Sequence, residues 1–307
     1  MLHYSLLLEE AIDGLDIKED GIYIDATLGY AGHSREILKR MKRGFLFAFD
    51  QDKQAIEYSQ KELASVGHNF KIIHSNFECL KEKLAEENVT SVDGIIFDLG
   101  LSSPQIDETS RGFSFMSDAF LDMRMNKDSK ITAYVIVNTY SLEQLVEIFF
   151  SYGEEKMSKV IAKKIVQCRE EREIKTTLEL VEVIAAAVGA KYFNTKHPER
   201  QIFQAIRIAV NNELGVLEKV LPDALELLRP GGRISVITFH SLEDRIVKKI
   251  FKKNSDIDEM VKGLAVIPDE FKPKIKLVNR KPILPSEKEI KENSRSKSAK
   301  LRVIERT

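Results

Sequence analysis

The chain has few cysteines and no long apolar run, and these shortages exclude whole classes of protein. Cys79 and Cys168 are its two cysteines and lie far apart, so a disulfide-stabilised secreted fold is not expected. No apolar run approaches the roughly 20 residues that cross a bilayer. Glu9 and Glu10 interrupt the first apolar stretch, so we expect no secretion signal. The absences predict a cytoplasmic protein without a membrane partner.

The sequence also lacks an excess of either charge. Lys and Arg number 47 and Asp and Glu 48, which gives a net charge of -1, whereas general nucleic-acid binders tend to be basic. Two local basic runs modify this balance, one within 248–253 and one within 288–302. Such runs are more often solvated surface than phosphate sites. RNA contact by these runs is therefore a hypothesis beside that simpler interpretation.

Short apolar runs alternate with helical patterns through the first hundred residues. Four such runs predict strands, at 21–25, 45–50, 70–74 and 94–98. Three of them end in an acid, namely Asp25, Asp50 and Asp98. Continuous apolar strands separated by helices indicate a parallel sheet that is covered on both faces. In open sheets of this kind, ligands bind beyond the carboxyl ends of the strands, where the three acids would lie.

The pattern changes after the fourth predicted strand. A loop-like stretch at 105–130 is followed by helical patterns at 133–189 and 200–228. A strand at 233–239 and a helix at 242–253 come next, and two short strands are predicted at 275–278 and 301–304. We therefore predict an α/β fold with an inserted all-helical domain. Its boundaries are a discontinuous sheet domain at 1–106 and 206–307, and a substrate-recognition insert at 107–205.

The segment 25–34 joins the first predicted strand to a helix and is rich in small residues. Gly29 and Gly32 let the backbone approach a ligand closely, although a plain strand-to-helix turn explains them equally well. The spacing does not match the G-x-G-x-x-G pattern of dinucleotide-binding enzymes. A carboxylate at Asp25 would repel a pyrophosphate but attract a positively charged methionine moiety. With Asp50 placed to accept from ribose hydroxyls, the pattern favours S-adenosylmethionine.

The segment from Asp98 to Gln105 leaves the fourth predicted strand, where this topology would place the reactive methyl group. Amino-group methyltransferases often carry a polar residue followed by Pro-Pro and an aromatic here, and Ser103-Pro104-Gln105 is a partial match. A cytosine amine is a poor nucleophile because its lone pair is delocalised into the ring. Acceptors that hold its protons would help it attack. A plain Ser-Ser-Pro turn is the alternative.

Aromatic and basic side chains follow this segment. Phe113 and Phe115 are candidates to stack on a base, and Arg111 and Arg124 to hold phosphates. The alternative for all four is hydrophobic anchoring of the insert. The pattern alone does not separate these two interpretations.

Two histidines lie near predicted strand ends. His33 is a candidate to pack on the cofactor, and His240 would either touch substrate or fix its turn, with Ser241 as the helix cap. The histidines at 68, 74 and 197 lack companions at metal-ligand spacing. We therefore expect no structural metal.

Several long motifs resemble those of the bacterial 16S rRNA (cytosine-N4) methyltransferases of the RsmH (MraW) type. They run in order along the whole chain, at 6–10, 23–34, 98–105, 111–116, 121–125, 204–208, 239–247 and 295–306. The departures lie at Ser5, where the family usually has Pro, and within the loop. There the family often has Gly in place of Ala26 and Ala31, and Arg or Gly in place of Tyr30.

The resemblance implies a class I S-adenosylmethionine-dependent methyltransferase (a Rossmann-like, mostly parallel sheet) that modifies a cytidine in the decoding centre of 16S rRNA. It implies cofactor contacts from a set of residues that includes two of the three strand-end acids, namely Ala31, Gly32, His33, Asp50, Phe77, Asp98 and Gln105. We add Asp25 to this set from its charge and position. For catalysis by direct in-line transfer we predict Asp98, Ser103 and Pro104.

Alternative functions remain open at this point. The motifs themselves do not clearly distinguish an rRNA methyltransferase from an enzyme that methylates another amine, in DNA or protein. A non-catalytic ribosome-assembly factor would keep the fold without the activity. A nicotinamide oxidoreductase is disfavoured by the missing glycine pattern. The expected partner is 16S rRNA, within the small ribosomal subunit, and the insert's helices are candidates for a homodimer interface.

Overall fold

A computed structural model describes residues 5–257, 259–261, 263–264 and 266–307, without the side chains of residues 103, 259 and 270. The chain divides into two compact units. The first unit comprises the described residues of Met1–Gly100 and Leu214–Thr307, and the second is Leu101–Glu213. Within the described part of the chain, no helix has the length and apolar character needed to cross a membrane.

The first unit is built on a seven-stranded sheet. Its strands are β1 (Ile22–Asp25), β2 (Phe45–Asp50), β3 (Phe70–His74), β4 (Val92–Asp98), β5 (Leu228–Thr238), β6 (Ile275–Leu277) and β7 (Lys300–Arg306). The strand order is β3-β2-β1-β4-β5-β7-β6. The first five strands pair in parallel, and β7 runs antiparallel to both β5 and β6. This mostly parallel sheet confirms the predicted class I methyltransferase fold.

Helices cover both faces of this sheet. They are α1 (Leu8–Leu15), α2 (Gly32–Arg40), α3 (Lys53–Ala64), α4 (Leu80–Glu86), α12 (Glu213–Leu227), α13 (Ser241–Ser255) and α14 (Glu287–Glu292). Successive residues of β1 enter two separate cores, because side chains alternate across a strand. Ile24 joins the core beneath α4, α12 and α13, and Tyr23 joins the core beneath α1, α2 and α3.

The fifth strand begins earlier than the sequence predicts. The segment 229–232, which precedes the strand predicted at 233–239, lies inside β5, and the pairing with β4 shifts register between Val92 and Gly94. Gly231 there adopts a φ of +78°. The Pro-Gly-Gly sequence therefore forms an irregularity within the strand, since proline cannot donate to a ladder and glycine permits the bend.

The second unit is helical. Its helices are α5 (Ser103–Asp107), α6 (Ala133–Thr139), α7 (Leu142–Ser151), α8 (Ser158–Glu171), α9 (Thr177–Val188), α10 (Ala190–Lys196) and α11 (Pro198–Asn211). They enclose a core of their own. This unit extends beyond the range 107–205 at both ends. At its carboxyl end the reason is α11, because Ile206 and Val210 pack into the helical core.

Candidate cofactor and catalytic site

Three carboxylates lie at one edge of the sheet, as the sequence predicts. In the register of the sheet, Asp25 pairs with Ala48 of β2 and with Ile96 of β4. Asp50 and Asp98 end those two strands, each two residues further on. The adjacent order β2-β1-β4 therefore brings three acids to the carboxyl edge, where the strand order reverses and ligands bind in open α/β sheets.

Asp25 is held by the loop that follows it. Its side chain is buried, and its two carboxyl oxygens accept from the Ser34 hydroxyl at 2.7 Å and from the Thr27 amide at 3.1 Å. Burial raises the pKa of Asp25 to about 6, although these hydrogen bonds act in the opposite direction. Asp25 thus ties the strand end to the start of α2. Its charge contributes to the carboxyl edge formed by Asp25, Asp50 and Asp98, which we call the rim.

Asp50 receives two backbone amides. Its carboxyl oxygens accept from the amides of Gly29 and Asp52, each at 2.8 Å. Burial raises the pKa of Asp50 to about 7, with smaller contributions from the charges of Asp52 and Asp25. Each carboxyl oxygen can still accept a second hydrogen bond, so Asp50 can bind a ribose hydroxyl.

Asp98 differs from the other two acids. Its Oδ2 lies 3.5 Å from Nδ1 of the buried His33 ring. Its Oδ1 is buried and has no hydrogen-bond partner among the described residues, although the side chain as a whole is 21% exposed. Burial, with the charges of Asp25 and Glu243, raises the pKa of Asp98 well above its usual value. An acceptor in this state binds a donor or a cation strongly.

The loop between β1 and α2 approaches the rim through unusual backbone conformations. Gly29 and Ala31 have φ values of +49° and +65°, and Ala31 precedes the first residue of α2 without a side-chain cap. A Cβ added to Gly32 would lie 1.6 Å from the Ser5 hydroxyl oxygen. Gly32 is therefore required by the packing of Ser5, as well as being near the rim.

Phe77 follows the end of β3. It begins a short 3-10 helix that is capped by Asn76. Its ring meets Phe97 edge to face, with centroids 5.8 Å apart, and it is partly buried against the first unit's core. Phe77 thus offers an apolar surface beyond β3, which neighbours the strand that ends in Asp50. Such a surface suits an adenine ring.

His240 caps a helix. It occupies the position before α13, its Nδ1 accepts from the Glu243 amide at 3.4 Å, and its Nε2 lies 3.2 Å from Glu243 Oε1. The sequence prediction named Ser241 as this cap, and it was wrong by one residue. An imidazole can accept from a backbone amide in the place of a hydroxyl. The geometry favours the turn-fixing interpretation of His240 over substrate contact.

Sequence reasoning missed Glu243 and Thr27. Glu243 is buried and accepts from the amide of Phe239 at 2.7 Å, and its charge contributes to the raised pKa of Asp98. The Thr27 hydroxyl accepts from the Asp98 amide at 2.7 Å. A Glu three residues after a cap is a known sequence signal, but His is an uncommon cap, so the pattern was not detected.

Ser102, Pro104 and Gln105 belong to the second unit. Ser102 and Gln105 form a capping box, in which each side chain accepts from the other's amide, at 3.4 and 3.1 Å. Pro104 lies in the first turn of α5, where its missing amide costs nothing. These contacts fit the alternative interpretation of Ser-Ser-Pro as a local turn, which here begins a helix. The side chain of Ser103, predicted to be catalytic, lies outside the described part of the chain.

The four predicted RNA contacts all lie in the second unit and serve its packing. Arg111 is buried and donates to the carbonyls of residues 124 and 125 at 2.9 and 3.1 Å. Phe113 is in the helical core, and Phe115 meets residue 203 edge to face. Arg124 binds Asp122 through two hydrogen bonds, at 2.6 and 2.9 Å. These contacts favour the anchoring interpretation.

Comparison with known proteins assigns the chain. The model of the MraW methylase family matches residues 1–307. The chain belongs to the MraW methylase family. Its cofactor is S-adenosylmethionine, and the predictions of family and cofactor are both confirmed.

Two solved structures are similar to this MraW-family chain over its length. An rRNA methylase from Streptococcus thermophilus is 11% identical, with a TM-score of 0.44 and coverage of 100% of this chain and 98% of the other. A Streptococcus mutans protein in complex with SAH is 12% identical, with a TM-score of 0.44 and 99% of each chain covered.

The rim fits the cofactor of this family. Three buried or half-buried acids, each with a raised pKa, form an environment that lacks positive charge. S-adenosylmethionine carries a sulfonium and an ammonium group, and a nearby cation lowers the pKa of a buried carboxyl. Asp98 Oδ1 also offers an acceptor with no partner among the described residues. The hydrogen-bond acceptors and the negative charge of the rim therefore suit a cationic nucleoside.

Proposed function

We propose that this protein methylates the N4 amine of a cytidine in the decoding centre of 16S rRNA, within the cytoplasmic small ribosomal subunit. The observation that carries the proposal is the Asp98 carboxyl, which ends β4 with a buried Oδ1 that has no hydrogen-bond partner in the described part of the chain. The chain belongs to the MraW methylase family. Membership of this family and the acidic rim together support a methyl acceptor that presents N–H groups. Homodimer formation through the helical unit belongs to the same proposal.

The cofactor would be held by the residues that the sequence predicts for it. They are Asp25, Ala31, Gly32, His33, Asp50, Phe77, Asp98 and Gln105. When bound, S-adenosylmethionine supplies an electrophilic methyl group. Asp50 accepts from the ribose, and Phe77 packs against the base. Asp25 acts through its charge and through the hydrogen bonds that fix the loop, since its side chain is almost fully buried.

Asp98 would act on the acceptor amine. Its Oδ1 accepts an N–H of the cytosine amine, which draws electron density back to nitrogen and orients the lone pair for in-line attack. Burial raises the pKa of Asp98, which makes its carboxylate a better proton acceptor and a candidate to take the amine proton, directly or through water. Holding the two reactants in line is worth about 7–11 kcal/mol. Pro104 fixes the chain at α5, and we keep Ser103 as a candidate acceptor.

The packing of the second unit reduces the number of side chains that are candidates for substrate contact. Arg111 and Phe113 are buried, so we propose that they position the segment rather than bind RNA. Phe115 and Arg124 retain partial exposure and remain the candidates for base stacking and phosphate contact. His240 acts through the α13 turn.

Transfer of a labelled methyl group to small subunits that lack this modification tests the proposal. We expect label on one cytosine amine, and we expect Asp98→Ala to lower kcat by roughly 10²–10⁴ at saturating cofactor. Asp20→Asn removes an exposed charge from the same unit and serves as the control. Full activity of Asp98→Ala would exclude the assigned role. Label on DNA or protein would show that the substrate is not rRNA. Cofactor binding without methyl transfer would favour a non-catalytic assembly factor.

A further inference from the structure

A basic cavity lies in the first unit, between α13 and the last two strands. Its volume is about 900 Å³, which is the size of a pocket for a nucleotide-sized ligand. Its lining includes six cationic side chains from four segments of the chain, namely Lys248, Lys252, Lys272, Lys276, Arg280 and Arg302. Asp256 is the carboxylate in the lining. The basic runs of the sequence contain Lys248, Lys252 and Arg302, whereas Lys272, Lys276 and Arg280 lie outside them.

Half of these cations are not neutralised by the protein. Lys272, Lys276 and Arg302 form ion pairs with Asp269, Glu305 and Asp244, respectively. Lys248, Lys252 and Arg280 are exposed and have no ion-pair partner among the described residues. These three outnumber the single carboxylate of the lining, so the cavity has a net positive charge. An anion is therefore the ligand class that the cavity fits.

The floor of the cavity is apolar and fixed. Phe251 of α13, Ile275 of β6 and Val303 of β7 line it and are almost fully buried, and Leu277 of β6 offers an exposed apolar surface beside them. Lys248 and Lys252 stand four residues apart on α13 and therefore share one face of the helix. A rigid apolar floor with a basic wall matches a nucleotide, which has an apolar base face and a charged phosphate.

Helix stabilisation alone does not account for these residues. Cations in the last turn of a helix interact favourably with its dipole, which explains Lys252 and Lys253 of α13. It does not explain Arg280, which lies beyond β6, or Lys248 in the preceding turns. In the other basic run of the sequence, Lys300 and Arg302 are both paired with Asp244. Lys248 and Arg280 are thus explained neither by the helix dipole nor by an ion pair among the described residues.

We propose that this cavity binds the phosphate backbone of RNA without reading its sequence, and so anchors the substrate that the rim methylates. The inference rests on the proposed function, because it takes the substrate to be RNA. Lys248, Lys252 and Arg280 contact phosphate oxygens, and the apolar floor receives a base face. The energy of such contacts comes largely from release of counterions, which makes the binding dependent on salt.

The chain offers a matched pair of variants as a test. Lys248→Gln with Lys252→Gln removes two cavity lysines. Lys249→Gln with Lys253→Gln removes two exposed lysines of the same helix that do not line the cavity and have no ion-pair partner among the residues that the structure describes. Both double variants change net charge equally and leave the rim acids intact. The probe is a cytosine-free oligouridylate, whose binding is measured at 50 and 200 mM salt.

We expect the cavity variant to bind the oligouridylate more weakly than the control. Each phosphate contact on single strands contributes roughly 0.7 to the log–log salt slope. The cavity variant should lose about 1.4 from that slope, so the wild-type advantage falls about sevenfold between the two salt concentrations. Equal loss in both variants would show diffuse surface attraction, and no wild-type binding would show no anchor. Either result overturns the proposal.

Two further readouts separate the possible failures. Displacement of the oligouridylate by uridine monophosphate at equal phosphate concentration would mark a site for free nucleotides and overturn the anchor. Cofactor affinity, measured by calorimetry, should be the same in both variants, which shows that each is folded. Methyl transfer fails without any change in oligouridylate binding if the proposed function is wrong. It persists with equal binding by both variants if the anchor is wrong.

Discussion

Ala31 stores backbone strain in the loop before α2, and this strain can be measured. Its φ of +65° lies in the left-handed region, which costs an L-residue with a Cβ about 1–2 kcal/mol. Ala31→Gly relieves that cost. It also removes a methyl group that is fully buried, worth about 0.8 kcal/mol, and it makes the unfolded chain more flexible by about 0.4–1 kcal/mol. These terms nearly cancel, so we expect Ala31→Gly to leave the free energy of unfolding almost unchanged.

Ala26 provides the control in the same loop. It is equally buried, at 1% exposure against 0% for Ala31, and its φ is not positive. Ala26→Gly therefore loses the methyl burial and the chain entropy without relieving strain. We expect it to destabilise the protein by about 1–2 kcal/mol. The difference between the two variants isolates the left-handed strain at Ala31.

Urea denaturation of both variants, followed by circular dichroism without cofactor, measures this difference. We expect the midpoint of Ala26→Gly to lie below that of Ala31→Gly, by an amount corresponding to about 1–2 kcal/mol. Equal loss of stability in both variants would refute the reasoning, because it would mean that the loop at Ala31 carries no strain.

Two further predictions follow from the rim. Asp50 has a pKa raised to about 7, so its contribution to stability is present below its unfolded pKa and is lost as pH rises through about 7. The apo protein should lose stability between about pH 4 and 7, and Asp50→Asn should lose less over that range in urea titrations. Gly32→Ala forces a Cβ against the Ser5 hydroxyl and should cost about 1–3 kcal/mol. Ser5→Gly in the same chain should restore part of that loss, and no rescue would place the clash elsewhere.

The sheet could be predicted from the sequence because its signals are local. Apolar runs that end in Asp25, Asp50 and Asp98 specify both the strands and the edge where the acids meet. Helix α1 carries no comparable signal, since its flanking residues Leu7 and Asp16 both have left-handed backbone conformations. The beginning of β5 was placed too late for a related reason, because Pro230 and two glycines suggest a turn whatever the partner strand does.

The roles of individual side chains were harder to predict, because they depend on partners distant in sequence. Arg111 and Arg124 have the charge that a phosphate contact needs, but their donors are satisfied by backbone carbonyls and by Asp122. The capping box of Ser102 and Gln105 was readable, since Ser-x-x-Gln is its sequence signature. The basic cavity was not readable, because β6 and α13 are brought together only by the fold.

The long insertion between β4 and β5 also affects how the protein is made. The two strands are hydrogen-bonded neighbours, yet about 130 residues separate Asp98 from Leu228. At a synthesis rate of about 5–20 residues per second, the ribosome needs on the order of ten seconds to supply β5. During that interval the nascent β4 presents an open, apolar edge, and such edges invite pairing with other chains. The helical unit, whose core is its own, can fold meanwhile and shorten the distance that β5 must close.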